Sequence, residues 1–220
     1  MPVLMSTAYF PPLEYLASMA AGFTLSPDRV NPSTAYIEAH ENYQKQSWRN
    51  RCMIASADGP CRLNYPVVHS GDGRKVPVGE LQIDWSTPWM VQHQRAIDAA
   101  YHSSAYYDYY RDELFALMDN CAAEKVGMLR FNTDILRFLL GKTGISCNLI
   151  FTTGYGLCPE KVTDLRETIH PKRSNSILAD LGLGRPYYQV FQQKYGFLGG
   201  LSSMDLLFNE GPGSLVYLKR

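Results

Sequence analysis

Net charge is the first thing this sequence lacks. Lys plus Arg and Asp plus Glu each number 21, so no global field draws the chain towards nucleic acid or an anionic membrane surface. Closely spaced cysteines are missing too. The five present, Cys52, Cys61, Cys121, Cys147 and Cys158, are an odd number without Cys-x-x-Cys or Cys/His spacing. That argues against a structural zinc site and against a secreted disulfide scaffold. No apolar run approaches the roughly 18 residues that read as a membrane span. Residues 1–10 have neither the basic start nor the long apolar stretch of a signal peptide. The expectation is a cytoplasmic chain with reduced thiols, no metal and no cofactor.

Two catalytic signatures are also absent. Gly141-Lys-Thr-Gly144 contains a Gly-Lys-Thr triplet, but it follows a helix and precedes a strand, the reverse of a phosphate loop. Gly154-Tyr-Gly156 follows a strand without the remaining glycines of a dinucleotide fingerprint. No Gly-x-Ser-x-Gly elbow exists, which closes that hydrolase route. Without internal repeats, low-complexity segments or a clear linker, residues 1–220 read as a single domain, long enough to bury a sizeable core.

What is present is a mixed α/β pattern, strand-rich in its first third and helical in its middle and C-terminal part. Residues 3–10 read as a buried strand, ended by Pro11-Pro12, with Pro12 in the first turn of a helix that Gly22 closes. Strands follow at 34–39, 50–55 and 61–68, the last two joined through Asp58-Gly59. A polar turn at 69–75 leads to an edge strand at 76–84, where Pro77 disfavours a central position. Helices are expected at 89–103, with Ser86 or Thr87 as cap and Pro88 in the first turn, at 106–118, and at 126–140, stopped by Gly141. A buried strand at 145–153 and short helices at 162–168, 186–191 and 202–209 complete the reading. Ser202 and Asp205 form a capping-box variant at the last of these.

The densest chemistry lies at residues 38–52. Two acids, a histidine, a lysine, two arginines, a tryptophan and a tyrosine share fifteen positions there. Such a stretch suits a polar site with aromatic walls. Lys45, Arg49 and Arg51 can hold a phosphate or carboxylate, Tyr43 and Trp48 can stack on a sugar or base, and Asn50 joins the binding set. His40, Glu41 and the more distant His93 are candidates to move a proton. Each histidine reads equally as a hydrogen-bonded structural residue. Cys52, beside two arginines, reads either as an activated thiol or as an inert residue of a strand. Fifteen tyrosines suggest surface facing a ligand or another subunit, or simply the rim of the core.

The run from Glu41 to Arg51, Glu-Asn-Tyr-Gln-Lys-Gln-Ser-Trp-Arg-Asn-Arg, resembles the signature segment of the WbqC-like family. These are bacterial proteins linked with O-antigen and other surface-polysaccharide genes. The opening, an aromatic, two prolines and Glu-Tyr-Leu, is similar to the family's N-terminus, with Glu14 standing where a glycine is usual. Trp89, His93 and Tyr101 follow the family's order, and Leu201-Ser-Ser-Met-Asp resembles its tail. The resemblance implies a role in cell-envelope polysaccharide or lipid-linked glycan synthesis. The expected activity is a transferase acting on an anionic sugar-, nucleotide- or acyl-type small molecule. The alternative is a non-catalytic assembly partner of such enzymes, its polar cluster fixing a homodimer interface. Two geometric expectations follow from the residues. Asn50 and Arg51 should be buried at a strand start with Arg51 paired to an acid, and Lys45, Trp48 and His93 should surround a common cleft.

Overall fold

The computed structural model describes residues 1–26, 29–68, 75–157 and 160–219. The chain opens with β1 (Val3–Ser6), whose first three residues are buried on both faces, as a central parallel strand requires. Residues 9–12 turn it into α1 (Leu13–Ala21), with Pro12 at the N-cap. Phe10 sits in that turn at φ 40°, left-handed backbone that costs a bulky residue roughly 1–3 kcal/mol and that its surroundings must impose. A short antiparallel pair, β2 (Thr24–Ser26) and β3 (Arg29–Asn31), leads into β4 (Ser33–Glu38), parallel to β1. The hairpin of β5 (Arg51–Ser56) and β6 (Gly59–Asn64) turns at Ala57-Asp58, and Gly59 opens β6 at φ 101°, where glycine sits without strain.

Three helices follow: α2 (Trp89–Tyr101), α3 (Tyr107–Glu124) and α4 (Met128–Thr143). The last delivers the chain to β7 (Cys147–Phe151), on the far side of β4. β8 (Thr163–Asp164) then pairs with the opposite side of β1. The short α5 (Ile177–Asp180) and α6 (Gln192–Tyr195) precede α7 (Ser203–Glu210) and α8 (Ser214–Leu218). The sheet order is β7-β4-β1-β8, all parallel. Leu16, Ile37, Phe131, Leu139 and Phe208 are fully buried in one apolar cluster shared by sheet and helices, each contributing roughly 1.5–3 kcal/mol.

The mixed α/β pattern stands, and several local expectations are corrected. Residues 76–84 make isolated bridges and a turn instead of a strand. Their inward side chains are Val78, Leu81 and Ile83, a spacing no pleated strand can produce. Gly79 presses against β4's exit so closely that an added Cβ would lie 2.8 Å from the Ala39 carbonyl oxygen. The helix expected at 162–168 is β8 and a turn, because the open side of β1 captures it: Leu165 N–H donates to the Leu4 carbonyl at 2.8 Å. No helix forms at 186–191; the turn of helix comes later, as α6. α4 runs past Gly141, since Thr143 is still buried, and stops at Gly144 with φ 76°. β7 is an edge strand with Ile150 and Phe151 outward, not a buried one. Ser86 binds the Asp84 carboxylate, leaving Pro88 at the N-cap of α2.

At α7 only half of the expected box forms. Ser202 accepts from Met204 N–H at 3.2 Å, but Asp205 does not reach back. Its carboxylate accepts from the Tyr187 hydroxyl at 2.7 Å and from Gln189 at 3.0 Å. Burial pushes its pKa up to about 6, against those bonds. Except for Lys75, the turn expected at 69–75 lies outside the described residues, as does Cys158.

Candidate functional site

The topology designates a place before any side chain is considered. From β1 the chain moves outward through β4 to β7, then returns to β1's other side as β8. The crevice outside the carboxyl ends of β1 and β8 is therefore where strand order reverses, the usual ligand position in open parallel sheets. Ser6, Thr7 and Ala8 leaving β1, and Leu165 and Arg166 leaving β8, line a narrow neck there with Trp48, Arg49 and His170. A larger cavity opens on each side. One, of about 520 Å³, shares Trp48, Ile169 and His170 with the neck. The other, of about 480 Å³, shares Arg166.

The larger cavity is built from five segments: Pro12 and Glu14 at the start of α1, Gln46 and Trp48, the hairpin, residues 169–175, and Gly200. Strand alternation explains the hairpin's part. Cys52, Ile54 and Leu63 point into the core, so Arg51, Met53 and Arg62 face the cavity. Arg51 and Arg62 are diagonal neighbours across the two strands, a placement that like charges disfavour. Partial burial and the Arg62 guanidinium both work against Arg51's charge. Among the described residues no carboxylate pairs with Arg51, Arg62 or Lys172, whereas Arg173 is held by Glu167 at 3.0 Å. The expected acid partner of Arg51 is not there; Asn50 is buried as expected, donating to the Tyr65 carbonyl at 2.7 Å.

The acid pairs with Arg49 instead. Arg49 grips both oxygens of Glu41, at 2.9 and 2.5 Å, and donates to the Ser6 hydroxyl at 3.0 Å. Burial pushes the Glu41 carboxyl up, against the pull of Arg49. From beneath, Asn132 of α4 and the Tyr65 hydroxyl both donate to the Arg49 carbonyl, at 2.7 and 3.0 Å. Nearby Glu38 is fully buried at the end of β4. Burial alone would raise its pKa, but Thr152, the Gly156 and His40 amides and Arg166 together hold it below the usual carboxylate range.

The proposed proton carriers are not gathered in one place. His40 is exposed and lines the smaller cavity with Glu41, Tyr43 and Tyr155. His93 is buried in an aromatic cluster with Tyr9 and Trp89, its Nδ1 2.8 Å from the Tyr9 hydroxyl. Burial depresses its pKa to about 4. It lines neither cavity, and neither does the exposed Lys45. The expected meeting of Lys45, Trp48 and His93 does not occur, because Trp89 packs into the core and carries His93 inward with it. Cys52 is fully buried with its thiol pushed well up, the inert alternative. Among the described residues, no three His, Cys, Asp or Glu side chains gather as a metal would need.

Sequence reasoning missed Glu14, Arg62 and Lys172. Arg62 was accessible through the hairpin register, which places it on the same face as Arg51. Glu14 was noted only as standing where the family usually has a glycine, and nothing local pointed to Lys172.

Comparison with known proteins supplies the family. The model described as "WbqC-like protein family" matches residues 7–179, which takes in residues 38–52 and the whole sheet beyond β1 but stops short of α7. The "Uncharacterized protein Rv1507c" of Mycobacterium tuberculosis is 24% identical over 198 residues, covering 80% of this chain and 84% of that protein. No solved structure matches the chain.

Proposed function

We propose a function from the fact that the chain belongs to the WbqC-like protein family: it binds an anionic small molecule in the larger cavity and works as a transferase. The observation that carries this is the set Arg51, Arg62 and Lys172, three cations on one cavity without a carboxylate partner among the described residues. Arg51 is half-buried beside the exposed Arg62 and Lys172, and the repulsion among these like charges is a cost that an anionic ligand would relieve. Two cavities flanking the strand-order reversal suit transfer between a donor and an acceptor. Trp48 offers the larger cavity an aromatic wall. Tyr43, with His40 and Glu41 as candidate proton carriers, lines the smaller one. Asn50 and Arg49 hold the turn that presents Trp48 and Arg51, and His93 belongs to the core.

Cell-envelope polysaccharide or lipid-linked glycan synthesis, in the cytoplasm, is the setting that the family resemblance supports. No helix among the described residues is long and apolar enough to cross a membrane. We read residues 1–220 as one WbqC-like domain. The exposed edge of β7, with Ile150 and Phe151 outward, is where a second copy could pair. The rival role, a non-catalytic assembly partner, draws on the closed Glu41–Arg49 pair. Thermal stability in the presence of nucleotide-sugars, acyl-CoA and phosphosugars separates the two. A ligand at a hundred times its dissociation constant adds about 2.7 kcal/mol, a rise of roughly 5–10 °C at this chain length. No rise with any of the three classes would favour the assembly role.

A further inference from the structure

Glu14 is the carboxylate of the larger cavity, and its surroundings leave it strangely alone. It stands in the first turn of α1 between the buried Leu13 and Tyr15, lining the same space as Arg51, Arg62 and Lys172. None of these cations pairs with it, and its Oε2 is buried without a hydrogen-bond donor from any described residue. Ser18 bonds the Glu14 backbone carbonyl, not the carboxylate. Burial raises its pKa accordingly. Buried polar atoms are rarely left without a partner, so an unpartnered oxygen on a carboxylate that lines a cationic cavity indicates that the missing partner must carry a donor.

We infer that the ligand of this cavity is a phosphorylated polyol, its phosphate held by Arg51, Arg62 and Lys172 and one of its hydroxyls donating to Glu14. The inference rests on the anion-binding reading above and names the chemistry of that anion. A phosphate monoester, at about −2 with three acceptor oxygens, compensates most of the charge of the three cations, whereas a carboxylate would leave two of them uncompensated. A hydroxyl donates to Glu14 without adding positive charge to a cavity that already holds three cations, as an ammonium would. The Trp48 indole and the Pro171 ring supply apolar faces against which the carbon skeleton of a polyol can lie.

Titration calorimetry with four probes tests this: inorganic phosphate, ethyl phosphate, glucose 1-phosphate and N-acetylglucosamine 1-phosphate. At least one sugar phosphate should bind about tenfold or more tightly than ethyl phosphate, the effect of a hydrogen bond to a charged group. Glu14→Ala should erase that advantage while leaving ethyl phosphate within about twofold. Glu14→Gln, which keeps a carbonyl acceptor, should retain part of it. Neither variant should melt below the wild type, because Glu14→Ala removes the unpartnered buried oxygen and Glu14→Gln removes its charge. Equal affinity of the wild type for ethyl phosphate and both sugar phosphates overturns the inference and leaves the anion site standing. So does an advantage that survives in Glu14→Ala, or a variant that melts well below the wild type. A wild type that binds none of the four overturns the anion reading itself, and this inference with it.

Discussion

Arg49 and Arg51 are two positions apart and lead opposite lives. Arg49 is buried in the turn before β5, with Glu41 across both its donors and Ser6 on a third bond. Arg51, on the first residue of β5, faces a cavity beside Arg62 with no acid among the described residues. One chemical group is consumed by the fold, and the other is left for something outside it. The carboxylates divide the same way. Glu38, on the closed side, has four donors that hold its pKa down, while Glu14, on the open side, is pushed up by burial. A polar cluster therefore need not be wholly structural or wholly functional; the turn at residues 48–50 splits it between two arginines only two positions apart.

The comparison breaks most visibly at Arg49. Arg49→Ala leaves Glu41 buried without its cation, a loss of about 3–5 kcal/mol. Calorimetry should show the melting temperature falling by roughly 6–20 °C at this chain length. A fall of only about 2 °C would mean that the pair holds nothing together. Next in size is Glu38→Gln, which weakens four charge-assisted bonds and should cost about 2–3 kcal/mol at neutral pH. Its stabilising effect is present above the ordinary carboxylate value and lost as pH falls below it, because the folded pKa is depressed. In an acid titration of stability the variant should therefore approach the wild type at low pH.

Glu14→Gln should act in the reverse sense. A raised folded pKa makes the wild-type carboxylate stabilising only when protonated, an advantage lost as pH rises through that value. The variant should gain about 1 kcal/mol at neutral pH and nothing in acid. A variant that loses stability at neutral pH would show Glu14 to be paired after all. Smallest of all is Lys45→Ala. Exposed and away from both cavities, it should leave stability within about 0.5 kcal/mol and anion affinity within about threefold. A large loss of binding there would restore the lysine to the site.

Much of the framework was legible because local signals and burial agree. The first strand, the proline turn into α1, the hairpin and α2 to α4 all carry apolar periodicity that tertiary packing does not override. Elements that exist only through a distant partner were not. β8 is two residues long, and its stretch reads as a short helix until β1's free side takes it. The inward spacing of Val78, Leu81 and Ile83 follows from the approach of Gly79 to Ala39. In the candidate site, the stretch 38–52 was found, but not its division. Which arginine receives the acid depends on the turn that swings Glu41 back beneath Arg49. His93 was misplaced because Trp89, one turn earlier on the same face of α2, draws that face into the aromatic core and away from the cleft expected with Lys45 and Trp48.

Titration of inorganic pyrophosphate into the wild type and into Arg51→Ala/Arg62→Ala, at low salt, tests the division most directly. The wild type should bind, and the double variant should bind at least about tenfold more weakly while melting no lower than the wild type. Unchanged affinity, or a melting temperature that falls as far as that of Arg49→Ala, would contradict the claim that these arginines serve a ligand and not the fold.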